Sequence, residues 1–82
     1  MLAVRLGPGF VSAFDDLVFR AECLLRADIL AYGKETRREL VRRISRALRC
    51  SYNTANEIIE DLLGQGVLAC VDYGYLGIER RN

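Results

Sequence analysis

Arg37, Arg38, Arg42, Arg43, Arg46 and Arg49 fall within residues 36–50, where Glu39 is the single acid. The local charge is +5 on a chain whose net charge is +1. A guanidinium presents its donors in a planar fork that fits a phosphate bidentately, whereas a lysine is a point charge. Eleven of the twelve basic residues are Arg, with Lys34 the exception. That choice suits a phosphate-bearing partner. It equally suits salt-bridge networks on a heat-stable surface. The next stretch, "SYNTANEIIEDLLGQGVL", has the opposite character. It opens on Ser51, Tyr52, Asn53, Thr54 and Asn56, whose side chains donate and accept hydrogen bonds. It carries Glu57, Glu60 and Asp61 but no base. Cationic grip and hydrogen-bond reading thus sit on adjacent segments, and the elements between them must bring the two to one surface.

Other chemistry is thinly represented. The chain has no His, and Cys23, Cys50 and Cys70 are widely spaced without a CxxC pair. A zinc site in a familiar arrangement would lack its fourth ligand, so no metal is expected. The three cysteines read as small buried hydrophobes, with a disulfide as the alternative. There is no glycine-rich phosphate loop beside a strand and no carboxylate pair with an evident role. The expectation is a protein that is not an enzyme and uses no cofactor. At 82 residues, 51% of them hydrophobic, the chain reads as one domain with a core but little room for a small-molecule effector. It has no run of 18 apolar residues, so no membrane span is expected. The start, "MLAVRLGPGF", is too short and weakly charged for a signal peptide.

The positioning elements follow from periodicity. "LAVRL", residues 2–6, alternates as a short strand and "GPG" ends it. Ser12 is a helix N-cap, with Asp15 and Asp16 in the positive first turn. A helix over 13–32 follows, ending at Gly33. Phe14, Leu17, Val18, Ala21, Leu24, Leu25, Ile29 and Tyr32 form its core stripe. Phe19, Cys23 and Leu30 lie off that stripe, with Ala27 between them. They read either as a broad buried face under "LAVRL" or as the interface of a homodimer, and the dimer is preferred.

Thr36 and Glu39 form a capping box for an Arg-rich helix, with Leu40, Val41, Ile44, Ala47 and Leu48 facing inward. "CSYN" interrupts it, and Ser51 caps the next helix. Ala55, Ile58, Ile59 and Leu62 give that helix its apolar face, and Gly64 and Gly66 end it. "VLACV" and "YLGIE" make a hairpin around Asp72-Tyr73-Gly74-Tyr75, where Gly74 supplies the positive φ. The fold class is therefore mainly α with a small β-hairpin. The organisation is a single domain, residues 1–82: strand and long helix 2–32, two helices over 36–64, hairpin 67–79.

Two short helices joined by a few residues make a helix-turn-helix, and a hairpin after the second makes a winged helix. Through "TRRELVRRISRAL", "RCS" and "YNTANEIIEDLLGQGVLACVDYGYLGI", residues 14–79 resemble the winged helix-turn-helix transcription regulators of bacteria, archaea and archaeal viruses. The resemblance implies sequence-specific binding to duplex DNA, by a homodimer, in the cytoplasm (of the host cell where the source is viral). Here the segment matching the recognition helix lacks Lys and Arg, and the tip of the wing has no basic residue.

Carried onto this sequence, the resemblance divides the labour in space. The helix after Thr36 crosses the DNA backbone, with Arg37, Arg38, Arg42, Arg46 and Arg49 on phosphates, flanked by Thr36 and Ser51. The next helix enters the groove, with Tyr52, Asn53, Thr54 and Asn56 at base edges. Tyr73 and Tyr75 sit on the wing, against the duplex or back against the helices. Glu57 accepts from cytosine or pairs with an Arg of the preceding helix, and the pairing is preferred; Glu60 and Asp61 point away from the duplex. The bland counterpart is a solvated, salt-bridged arginine face. The competing functional reading is a winged helix that binds protein and no DNA.

Overall fold

The computed structural model describes residues 13–29 and 33–78. The expected strand 2–6, the cap at Ser12, and Leu30 and Tyr32 lie outside the described residues. Within them the chain is a small helix-rich domain with a three-stranded antiparallel sheet, compatible with a winged helix. In chain order the elements are α1 (Ala13–Leu24), a π-helical segment (Leu25–Ile29), β1 (Glu35–Thr36), α2 (Arg37–Leu48), α3 (Tyr52–Gln65), β2 (Leu68–Asp72) and β3 (Tyr75–Ile78).

Asp15 and Asp16 stand in the first turn of α1, where carboxylates meet the positive end of the helix dipole. The helix does not stay α-helical as far as its periodicity suggested. From Leu25 it widens into π turns, which shifts the register of any face that continues past that point. Val18, Ala21 and Leu25 are buried, and Phe14 and Leu17 pack beside them.

Thr36 and Glu39 close the expected capping box on α2: the Glu39 N–H donates to Thr36 Oγ1, and the Thr36 N–H donates to the Glu39 carboxylate. Leu40 and Ile44 are fully buried. Val41 and Leu48 are only half-buried, and Ala47, expected inside, faces solvent. Ala47 follows Ile44 by three residues, which turns it past the rim of a stripe that only Leu40 and Ile44 fully bury.

α2 ends at Arg49, the one described non-glycine residue with positive φ, at 55°. Both Arg49 and Cys50 donate their N–H to the Ser45 carbonyl, and Ser45 Oγ donates to the Cys50 carbonyl. Ser51 then caps α3, its Oγ accepting the Thr54 N–H at 3.0 Å. The turn between the helices is therefore three residues, 49–51. Ala55, Ile58, Ile59 and Leu62 are buried and join Leu40, Ile44, Val18, Ala21 and Leu25 in one core. Gly64 lies inside α3, and the stop comes only at Gly66, at φ 81°. Each large aliphatic side chain removed from water here contributes about 1.5–3 kcal/mol before chain entropy is set against it.

The hairpin runs as expected from β2 through Tyr73-Gly74 into β3, with Gly74 at φ 76°. A bulge at Val71 lies between the Cys70↔Leu76 and Asp72↔Tyr75 pairs. The sheet gains a third member that periodicity did not show: Glu35 and Thr36 pair with Leu76 and Tyr75, giving the order β1-β3-β2. The wing is thereby bonded to the start of α2. No helix among the described residues is long and apolar enough to cross a membrane.

Candidate nucleic-acid interface

The capping box fixes where α2 begins, and so which α2 residues face outward. Positions 38, 42 and 46 share one stripe, four residues apart, spanning about 12 Å at 1.5 Å per residue. Arg38, Arg42, Arg46 and Arg49 are exposed, and none of their side chains has an ion-pair or hydrogen-bond partner among the described residues. Arg43 is different. It is bound to Glu35 at 2.9 Å, which ties α2 back to β1.

Arg37 is different again. Its Nε donates to Asn56 Oδ1 at 2.9 Å, and its Nη2 donates to Glu60 Oε2 at 2.5 Å. The carboxylate expected to meet an arginine of the preceding helix was Glu57. Glu60 makes that contact, and Glu57 is exposed without a described partner. The reason is helical spacing: Glu60 stands four residues after Asn56 and shares its edge of α3, whereas Glu57 is turned about 100° from Asn56. Glu60 therefore reaches across to α2. Asp61 is engaged locally by Gln65 at 2.7 Å.

Tyr52, Asn53 and Asn56 are exposed on the outer side of α3, with Tyr52 at 60%. Thr54 is half-buried, and its hydroxyl accepts from Ser51 Oγ at 3.0 Å. Thr36 and Ser51 are both occupied as caps. Of the four expected base readers, Tyr52 and Asn53 project outward, Asn56 is exposed with its Oδ1 held by Arg37, and Thr54 is half-turned into the cap.

The two halves of the chemistry meet in a hollow of about 510 Å³ between α2 and α3, lined by Arg37, Arg38, Val41, Arg42, Tyr52 and Asn56. A second hollow of about 380 Å³ lies beside it over Glu35, Glu39, Arg42, Arg43 and Arg46. Arg42 borders both. The first hollow has cations on its α2 wall and hydrogen-bonding side chains on its α3 wall. The second is lined by two carboxylates and three guanidiniums.

On the wing, Tyr73 is 95% exposed and so does not lie against the helices. Tyr75 is 38% exposed, with Lys34 Nζ 5.1 Å from its ring centre. Lys34 also pairs with Asp72. That contact and the Tyr73 N–H hold the Asp72 carboxyl below its ordinary range. The lysine nearest the wing is thus committed within the molecule. Sequence reasoning assigned no partner to Lys34, Asp72, Glu35 or Glu60. Only Glu60 carried a local signal, its four-residue spacing from Asn56.

The three thiols are free, and they are not the buried hydrophobes expected: Cys23 and Cys70 are exposed and Cys50 is half-buried. Burial pushes the Cys50 thiol up, partly offset by a hydrogen bond to its own backbone. Phe19 is 63% exposed, and Cys23 and Ala27 on the same off-stripe side of α1 are exposed too, so no described residue covers that side. Among the described residues, no three His, Cys, Asp or Glu side chains cluster to hold a metal. No protein-family model, curated protein or solved structure matches this chain, so the meaning of the site rests on its own geometry.

Proposed function

We propose that this protein is a winged helix-turn-helix that binds duplex DNA, with α3 as the base-reading helix and α2 as the phosphate grip. The observation that carries the reading is the shared hollow. Arg38 and Arg42 line it from α2, and Tyr52 and Asn56 line it from α3. Unpartnered guanidiniums and an outward polar helix edge therefore address one partner from one side. Arg38, Arg42, Arg46 and Arg49 hold phosphates, which supply affinity without sequence information. Tyr52, Asn53 and Asn56 meet base edges, where a good bidentate contact discriminates by about 1–3 kcal/mol. The three acids of α3 do not oppose this arrangement equally. Glu60 is paired with Arg37 and Asp61 is held by Gln65, which leaves Glu57 as the exposed carboxylate nearest the groove side.

The assembly proposed is a homodimer through the exposed side of α1 around Phe19 and Cys23. Two copies of α3 then reach half-sites about 34 Å apart, one turn of duplex. The biological role that fits is transcription regulation. The test is selection from random duplex DNA followed by titration over a range of salt. Each phosphate contact adds about −0.9 to the log–log salt slope, so four arginines per chain give a steep dependence. Arg42→Ala should weaken selected and scrambled duplexes alike. Absence of binding in low salt overturns the reading. It would favour a protein partner docking on Val41 and Tyr52 in the same hollow.

A further inference from the structure

Arg37 is the one arginine of the α2 cluster whose guanidinium crosses to α3, and it spends two donors there. Nε–H goes to Asn56 Oδ1 at 2.9 Å and Nη2–H to Glu60 Oε2 at 2.5 Å. Arginine has five donors and no acceptor. The atom of the Asn56 amide that faces Nε is therefore its oxygen, on chemical grounds alone. The amide NH2 is then directed to the other side of the group, and Asn56 lines the hollow beside Arg38 and Tyr52. Glu60 holds the guanidinium from a second direction. For Arg37 to swing onto a phosphate, it would have to leave both the amide and the carboxylate. The Arg37 and Glu60 side chains are 38% and 63% exposed, so solvent screens the pair, and its worth lies in geometry more than in stability.

We infer that Arg37 is a positioning residue for recognition rather than a phosphate contact: the Arg37–Glu60 pair locks the Asn56 amide so that its NH2 is offered as a donor to an acceptor on a base edge. In the major groove those acceptors are purine N7, guanine O6 and thymine O4. The inference rests on the duplex-reading proposal and refines it. It also gives the acid of α3 a role: Glu60 orients the arginine that orients the reader.

The experiment compares wild type with Arg37→Ala, Arg37→Lys, Asn56→Ala and the Arg37→Ala/Asn56→Ala double variant. Each is titrated with the duplex selected by wild type and with a scrambled duplex, over several salt concentrations. Lysine keeps the charge but loses the fork. The expected result is that Arg37→Ala, Arg37→Lys and Asn56→Ala each lower the selected-to-scrambled ratio by about tenfold. The double variant should lose no more than Asn56→Ala, and the salt slope of Arg37→Ala should equal that of wild type. A ratio that survives Arg37→Ala while the slope becomes shallower by about 0.9 makes Arg37 a phosphate contact and overturns the inference alone. A lowered Tm with ratio and slope both intact makes the triad merely structural and overturns it too. Wild type that binds no duplex is a separate outcome, which removes the functional reading itself. A DNA-free check on the wild-type protein stands beside these. The Arg37 Nε–H should exchange with water more slowly than those of Arg38 and Arg42, and equal rates would overturn the lock.

Discussion

Replacing Arg49 by glycine should make the protein more stable and a weaker DNA binder. Arg49 sits at φ 55°, ψ 50°, the left-handed region, at the C-cap of α2. In that region the Cβ of an L-residue crowds the following carbonyl, at a cost of about 1–2 kcal/mol. Glycine is the usual occupant of such a cap because it escapes that cost. Glycine also gives the unfolded chain more freedom, which returns about 0.4–1 kcal/mol of the gain. The net expectation for Arg49→Gly is about 0.5–1 kcal/mol of added stability. For a domain of this size that raises Tm by about 2–8 °C. The hydrogen bonds of the turn run from the N–H groups of residues 49 and 50 to the Ser45 carbonyl, and glycine preserves both. The guanidinium lost is exposed and unpartnered, so no internal contact is removed with it. Retaining arginine in a strained turn has a physical motive only if its head group is used outside the molecule. Duplex affinity should accordingly fall, and the log–log salt slope should become shallower by about 0.9. Thermal denaturation followed by circular dichroism and a salt-dependent duplex titration read the two halves. A Tm that stays or falls refutes the strain argument. A Tm that rises with an unchanged salt slope removes Arg49 from the phosphate set.

Three further outcomes are expected. The Asp72 carboxyl should titrate below the ordinary Asp value of about 3.9, and Lys34→Ala should bring it back toward that range, as followed by carbon NMR. Because the folded-state value is depressed, the Lys34–Asp72 tie is present above the unfolded value and is lost as pH falls through the folded one; a wing that keeps its contacts after the Asp72 carboxyl is protonated would contradict this. A thiol reagent at neutral pH should label exposed Cys70 before half-buried Cys50, whose thiol is pushed up, and mass spectrometry of partial labelling checks the order. Phe19→Glu should reduce the sedimenting mass from dimer to monomer with the circular dichroism of the folded chain unchanged, since the side chain is 63% exposed in one chain; a wild type that sediments as a monomer at micromolar concentration counts against the dimer.

Where the elements begin and end was written in local chemistry. Thr36 with Glu39, Ser51 and Gly74 each act through bonds or φ angles within a few residues of themselves, and each does so where the sequence placed it. The buried stripes of α2 and α3, Leu40 and Ile44 against Ala55, Ile58, Ile59 and Leu62, followed equally from a 3.6-residue period. Tertiary structure decided the rest. β1 is two residues long, too short for any alternation, and exists because the β3 edge offers backbone partners regardless of side chain. The widening of the helix at Leu25 left no mark in the periodicity. The exposure of Cys23 and Cys70 depends on what packs over them, which a residue type cannot encode. Above all, composition gave six alike arginines. Only the approach of α3 to α2 committed Arg37 to Asn56 and Glu60, and only the placing of β1 committed Arg43 to Glu35. Arg38, Arg42, Arg46 and Arg49 were left with their charges directed outward, because an ion pair forms across a few ångströms of space, and that distance is fixed by packing between segments far apart in the chain.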